Sequence, residues 1–135
     1  IHEIQQVAEV PLRQFIGVCN KYLQAKKFVF DEVKFELNIE LDSGSPIEMR
    51  SLSSGEKQIV SLFAHTYLGE GDGYILIIDE PELSLSVEWQ KTLLPDIVAS
   101  GRCDFLAAVT HSPFIYENEL FDSAKDLAQL LRPIK

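Results

Sequence analysis

Three short stretches of this chain combine residues suited to metal and phosphate chemistry with segments able to hold them in place. The first is Ile75-Leu76-Ile77-Ile78-Asp79-Glu80-Pro81, an apolar run that ends in two adjacent carboxylates. Ligands of parallel α/β sheets bind beyond the carboxyl ends of the strands. Neighbouring residues at a strand end point in different directions, so two acids there can have separate jobs. Asp79 suits Mg²⁺, a hard cation that takes oxygen ligands and keeps several waters. Glu80 suits the orientation or deprotonation of an attacking water. The plainer alternative is a buried strand that stops at a polar turn closed by Pro81.

The second stretch, Leu52-Ser53-Ser54-Gly55-Glu56-Lys57-Gln58, precedes a helical pattern. A helix N-terminus exposes unpaired N–H groups and the positive end of the dipole, which suits phosphate. Gly55 lets the backbone approach closely. Ser53 can cap the helix and offer a hydroxyl to a phosphate oxygen; read alone, it is only a cap. The third stretch, Thr110-His111-Ser112-Pro113, follows another apolar run. Ser112 before Pro113 suits a helix start, and His111 then faces the same crevice, able to hydrogen-bond a γ-phosphate or a water. A lone histidine is otherwise a satisfied structural residue.

The elements that must position these groups are legible as changes of period. Residues 3–24 read as a helix through Leu12, Phe15, Ile16, Cys19 and Leu23, with Pro11 expected to break or kink it. Residues 28–50 shift to strand spacing. Val33, Phe35, Leu37, Ile39 and Leu41 alternate with polar residues, Asp42–Ser45 is a turn, and Pro46–Arg50 reads as the returning strand. A short strand at Phe28–Phe30 completes a small antiparallel sheet. A helix follows from Gly55 to Leu68, then a glycine-rich loop, Gly69–Gly73. The run Tyr74–Ile78 reads as a strand buried on both faces, residues 87–99 as a helix, Phe105–Val109 as a second strand and residues 123–131 as a short helix. Strand, helix, strand at this spacing is a βαβ unit.

Composition narrows the partners. The chain has 135 residues, 46% hydrophobic and 24% charged, with a formal net charge of −9. That size suits one core. No apolar run approaches the length of a membrane span, so no membrane contact is expected. The acidic balance disfavours direct gripping of nucleic acid, and Lys26 with Lys27 reads as solvated surface. Cys19 and Cys103 lack metal-ligand spacing with the histidines. They are expected to be buried free thiols in a reducing, cytoplasmic setting, with no structural zinc.

Taken together and in this order, the motifs resemble the C-terminal half of the ABC ATPase superfamily over roughly residues 50–120. Leu52–Glu56 is similar to its signature motif, Ile75–Glu80 to Walker B, Leu83–Ser86 to the D-loop and His111 to the switch histidine. Ser54 stands where transporters usually have glycine, Glu56 where they usually have glutamine, and Ser86 where they carry aspartate. The LSxGE form is more similar to the SMC, RecF and OLD-like branch of DNA repair, chromosome handling and phage defence. Asp79–Leu85 and Thr110–Phe114 resemble in particular the prokaryotic AAA/OLD-like ATPases, including the ATPase of Septu-type defence systems.

The resemblance implies an α/β fold: the C-terminal part of a P-loop NTPase, with a parallel βαβ core, helices on both faces and a small antiparallel β element. It implies ATP and Mg²⁺ as cofactors, Asp79 on the metal, and Glu80 and His111 as catalytic residues on the same protomer's nucleotide. Ser53, Ser54, Gly55, Glu56, Ser84 and Ser86 would contact nucleotide, Ser53 and Gly55 that of the opposite protomer. No GxxxxGK[ST] occurs in the chain, so the cradle for the β- and γ-phosphates must come from elsewhere. Residues 1–24 are expected to be the helix returning from an inserted arm, and residues 25–135 the C-terminal lobe. The expected partners are an N-terminal Walker A lobe of the same protein, a second head in a homodimer, and a nuclease effector or DNA through other regions. Alone, the chain is expected to be inactive. The competing reading is a non-hydrolysing, ATP-gated dimerisation or regulatory module.

Overall fold

The computed structural model describes residues 2–131, with side chains from Glu9 onward; Ile1 and the end of the expected lobe, residues 132–135, lie outside the described residues. Helix α1 spans His2–Tyr22 and runs through Pro11 without interruption, against the expectation of a break. A proline removes one hydrogen bond and crowds one turn. The turns that follow are held by packing, with Phe15, Val18, Cys19 and Tyr22 all buried.

A hairpin of β1 (Lys26–Asp31) and β2 (Glu36–Leu41) follows, with β3 (Pro46–Ile47) on the far side of β2. The antiparallel register sets Phe28 opposite Ile39, both buried. Alternation over 33–41 suggested one continuous strand, but residues 32–35 form the turn. The Asp31 carboxylate accepts the N–H groups of Val33 and Lys34 at 2.9 and 3.0 Å, an Asx-type closure that competes with extended pairing. Phe35 adopts a positive φ, and Val33 is almost wholly exposed. The returning strand is likewise shorter than Pro46–Arg50. Only Pro46 and Ile47 pair, as suits a proline on an edge, and Met49–Ser51 winds into a 3₁₀ turn.

Helix α2 (Ser54–Leu68) leads to β4 (Tyr74–Asp79), then α3 (Val87–Val98) and β5 (Cys103–Val109). Strands β4 and β5 pair in parallel, giving the βαβ unit read from the sequence. The glycine-rich loop between α2 and β4 is gathered by Arg102, whose guanidinium donates to the carbonyls of Tyr67, Gly69 and Gly71. Its carbonyls therefore face a cation, the reverse of a phosphate cradle.

The core joins α1, α2 and α3 around Cys19, Ile59, Phe63, Leu93 and Ile97, each fully buried, and one face of the β4–β5 pair packs on it through Tyr74, Leu76, Leu106 and Ala108. Two-face burial of β4 does not hold among the described residues. Ile75 and Ile77 are 68% and 75% exposed, and Phe105 and Val109 are about half exposed beside them. Of the two thiols expected inside, Cys19 is buried, which pushes its pKa up to about 12, while Cys103 is only partly covered. The last helix, α4, is confined to Leu127–Leu130, not 123–131. Its leucines are exposed, and without packing so short a helix does not extend.

These environments predict opposite responses to similar truncations. Leu93→Ala should cost about 2–5 kcal/mol, the range for emptying a packed site. Ile77→Ala should stay within about 0.5 kcal/mol, as at exposed positions generally. Urea denaturation of this chain compares the two directly.

Candidate functional site

The site is assembled at two places on one side of the molecule. The first is the N-terminus of α2. Ser53 is its cap, accepting the Glu56 N–H on its hydroxyl oxygen at 3.3 Å, while the Glu56 carboxylate accepts the Ser53 N–H at 2.8 Å. This reciprocal capping box fixes the start of the helix. The same Glu56 oxygen also receives the Lys26 ammonium at 2.9 Å, reaching over from β1. Burial pushes the Glu56 carboxyl up, but Lys26 and Ser53 outweigh it, and its pKa lies below the ordinary value. Gly55 is buried against the next loop: a Cβ there would collide with the Ser84 carbonyl oxygen. Ser53 and Ser54 are exposed.

The second place is the shared carboxyl end of β4 and β5. Asp79 closes β4, is paired in register with Val109 and is exposed. Glu80 follows with φ of +47° and donates its N–H to the Val109 carbonyl at 2.8 Å. A left-handed glutamate carries strain that the surrounding structure must hold. Here the holding contacts are this bond and buried Pro81, whose carbonyl accepts from Gln58 of α2 at 3.5 Å. Ser84 is also left-handed, at +64°. Ser86 caps α3 by accepting the Trp89 N–H at 3.3 Å.

His111 lies beyond β5 with its ring almost fully exposed, its Nε2 3.8 Å from Glu80 Oε1. The turn that carries it is fastened by a residue that sequence reasoning gave no role, Glu82. One Glu82 oxygen accepts the Thr110 hydroxyl at 2.7 Å and the other accepts the His111 N–H at 2.9 Å. Thr110 Oγ1 in turn accepts the Ser112 N–H at 3.0 Å. Gln90 adds a second tie, donating to the Leu85 carbonyl and accepting the Ser112 hydroxyl. The helix expected after Ser112 is a single 3₁₀ turn, Pro113–Ile115; the Ser112 hydroxyl makes no capping bond to it and donates to Gln90. Burial pushes the Glu82 carboxyl up, but the donors around it, Thr110 first among them, outweigh this and leave the pKa lowered.

The fold thus groups Asp79, Glu80 and His111, and separately seats Gly55, inside the Ser53–Glu56 capping box, against Ser84. Among the described residues, no hydrogen bond or ion pair joins Ser53 or Ser54 to Asp79, Glu80 or His111. Lys26, read as solvated surface, faces inward. Strand alternation carried that signal, because Lys26 shares a side of β1 with buried Phe28 while Lys27 points away. No group of three or more His, Cys, Asp or Glu is placed to hold a metal among the described residues. Asp79 suits a cation that takes one protein carboxylate and fills its shell with water and phosphate oxygens, the habit of Mg²⁺.

A βαβ unit with acids and a histidine at the carboxyl ends of its strands, beside a capped helix start, is the architecture of a P-loop NTPase head. The structural match agrees. The chain is similar to a solved structure described as the "SmcHead bound to the C-winged helix domain of ScpA", with a TM-score of 0.55, 16% identity, and coverage of 82% of this chain and 37% of that one. The chain therefore spans little more than a third of the length of the head it matches. A family model described as "AAA domain, putative AbiEii toxin, Type IV TA system" matches residues 20–117, and the chain belongs to this family of AAA-type ATPase domains. No curated protein matches it.

The two lowered carboxylates predict an acid limb. Each contributes stability that is fully present above its ordinary value of 4.5 and is lost as pH falls through its lower folded value. Glu56→Gln and Glu82→Gln should each flatten the decline of stability below about pH 4.5 relative to the parent chain. Denaturant midpoints measured from about pH 3 to 6 read this out.

Proposed function

We propose that this chain is the C-terminal lobe of an ABC-type ATPase head that binds and hydrolyses ATP with Mg²⁺ between two heads. The observation that carries this reading is the approach of Glu80 and His111 to 3.8 Å at the strand ends, with Asp79 beside them. Asp79 would hold Mg²⁺, which supplies charge neutralisation on the phosphates. Glu80 takes the proton of the attacking water or orients it, and His111 steadies the water or the γ-phosphate. Ser53 and Gly55, with Ser54, Ser84 and Ser86 nearby, would serve the nucleotide of the opposite head. Glu56 would act by shaping the backbone, since its carboxylate is committed to the capping box and to Lys26.

The remaining half of the site would come from a lobe carrying GxxxxGK[ST], in the same protein. The open apolar face of β4 and β5 supports a further layer of structure there, since parallel strands are ordinarily covered on both faces. Residues 1–24 would be the helix returning from an inserted arm. No helix among the described residues is long and apolar enough to cross a membrane, and a cytoplasmic head in defence or DNA maintenance fits best. The family description, which names a toxin of a toxin–antitoxin system, favours the defence setting, with a nuclease or DNA engaged through other regions.

Two measurements test the reading. In the complete protein, Glu80→Gln should abolish steady-state ATP hydrolysis, by about 10²-fold or more, and accumulate an ATP-bound dimer. Surviving turnover would exclude Glu80 as the base, and an ATPase lost without a trapped dimer would favour a structural role for it. The isolated chain should show no micromolar affinity for ATP–Mg²⁺ in calorimetry, since the phosphate cradle is supplied elsewhere.

A further inference from the structure

Lys26 opens the edge strand β1, far in sequence from every motif, yet its ammonium is brought to the start of α2. Its side chain is 18% exposed and that of Glu56 only 5%. The capping box does not itself require a charge: a glutamine at position 56 presents the same oxygen to the Ser53 N–H. A glutamate there has a cost as well as a benefit. It favours the helix start, but it buries a full negative charge within the first turn, bonded to the Ser53 N–H beside the N–H groups that would meet a phosphate. In a poorly solvated setting that charge acts over several ångströms and opposes any approaching anion.

We infer that Lys26 is a positioning residue for the phosphate-facing end of α2, cancelling the Glu56 charge so that the helix start keeps its positive character. The same ion pair ties the antiparallel sheet to the cap, so the loop from Met49 to Ser53 is held at both ends. This rests on the reading that the α2 N-terminus meets nucleotide phosphate. It adds a residue outside the motifs, and a reason why a carboxylate is tolerated at such a place.

The test uses the complete, nucleotide-hydrolysing protein with ATP and Mg²⁺, and compares Lys26→Met, Glu56→Gln and the double variant. Lys26→Met leaves the carboxylate uncompensated and should raise the KM for ATP about tenfold with a smaller change in kcat. The defect should shrink as ionic strength rises from about 50 to 300 mM, because salt screens the repulsion. Lys26→Met with Glu56→Gln removes the uncompensated charge and should show a lower KM than Lys26→Met, without its dependence on salt. A merely structural lysine would show a salt-insensitive defect that follows the melting temperature. An unchanged KM in Lys26→Met, or a folded double variant as impaired as the single one, overturns the inference. Should Lys26→Met fail to fold, the double variant is compared with Glu56→Gln alone: equal KM values support the inference, and a further rise in KM overturns it. A parent protein that neither binds nor hydrolyses ATP would instead remove the functional reading beneath.

Discussion

The parallel register of β4 on β5 is the constraint from which the arrangement of the candidate site follows. Asp79 pairs with Val109, so the residues after each strand leave the sheet side by side. Glu80 and His111, far apart in the chain, become neighbours without either being guided individually. A register shift would move one loop along the other by a residue spacing and turn its side chains to the opposite face. The apolar runs therefore do more than supply core. Their pairing determines which polar residues meet.

Register brings the loops together, and a small set of polar contacts then sets their shape. Glu82 is central, because a single carboxylate spans two loops and takes one donor from the Thr110 side chain and one from the His111 backbone. Charge-assisted bonds of this kind are roughly twice as strong as neutral ones. The loop from Glu80 to Ser86 is also gripped from behind, by the close approach of Gly55 to Ser84 and by the bond from Gln58 to Pro81. The start of α2 and the histidine loop therefore both touch the same short segment. Motion of either would be felt there, and the left-handed Glu80 and Ser84 show how tightly that segment is drawn.

The parts legible in the sequence were those governed by periodicity and by fixed local chemistry. The long helices, the βαβ unit and the Ser53 cap could be read because apolar spacing and capping residues act over a few positions. The hairpin was misread where a side chain overrode the pattern: Asp31 captured two backbone N–H groups and turned the chain at residues that alternate like a strand. The unbroken α1 depended on packing from elements distant in sequence. The same holds for the two residues given no role, Lys26 and Glu82. Each matters because of a partner 28 to 30 positions away, a distance over which sequence pattern carries no register. Motif residues can be located from sequence, whereas the residues that hold the motifs in place depend on tertiary contacts.

The distribution of apolar surface gives the fold its remaining logic. Inside, Ile59, Phe63, Leu93 and Ile97 leave essentially no exposed area, so the helical layer is complete. On the other side of the same two strands, Ile75, Ile77, Phe105 and Val109 form a contiguous exposed strip. Isolated exposed apolar residues are unremarkable, but a strip on adjacent parallel strands is not. It runs along β4 toward Asp79, so a layer covering it would also lie against that carboxylate. On the proposed function, covering the strip and completing the site would be one structural event. A layer that buries Ile75 and Ile77 brings its own residues to the strand ends where Asp79 and Glu80 emerge. On the proposed function, this would link the open face of the strand pair to the phosphate cradle that the chain's own motifs do not supply.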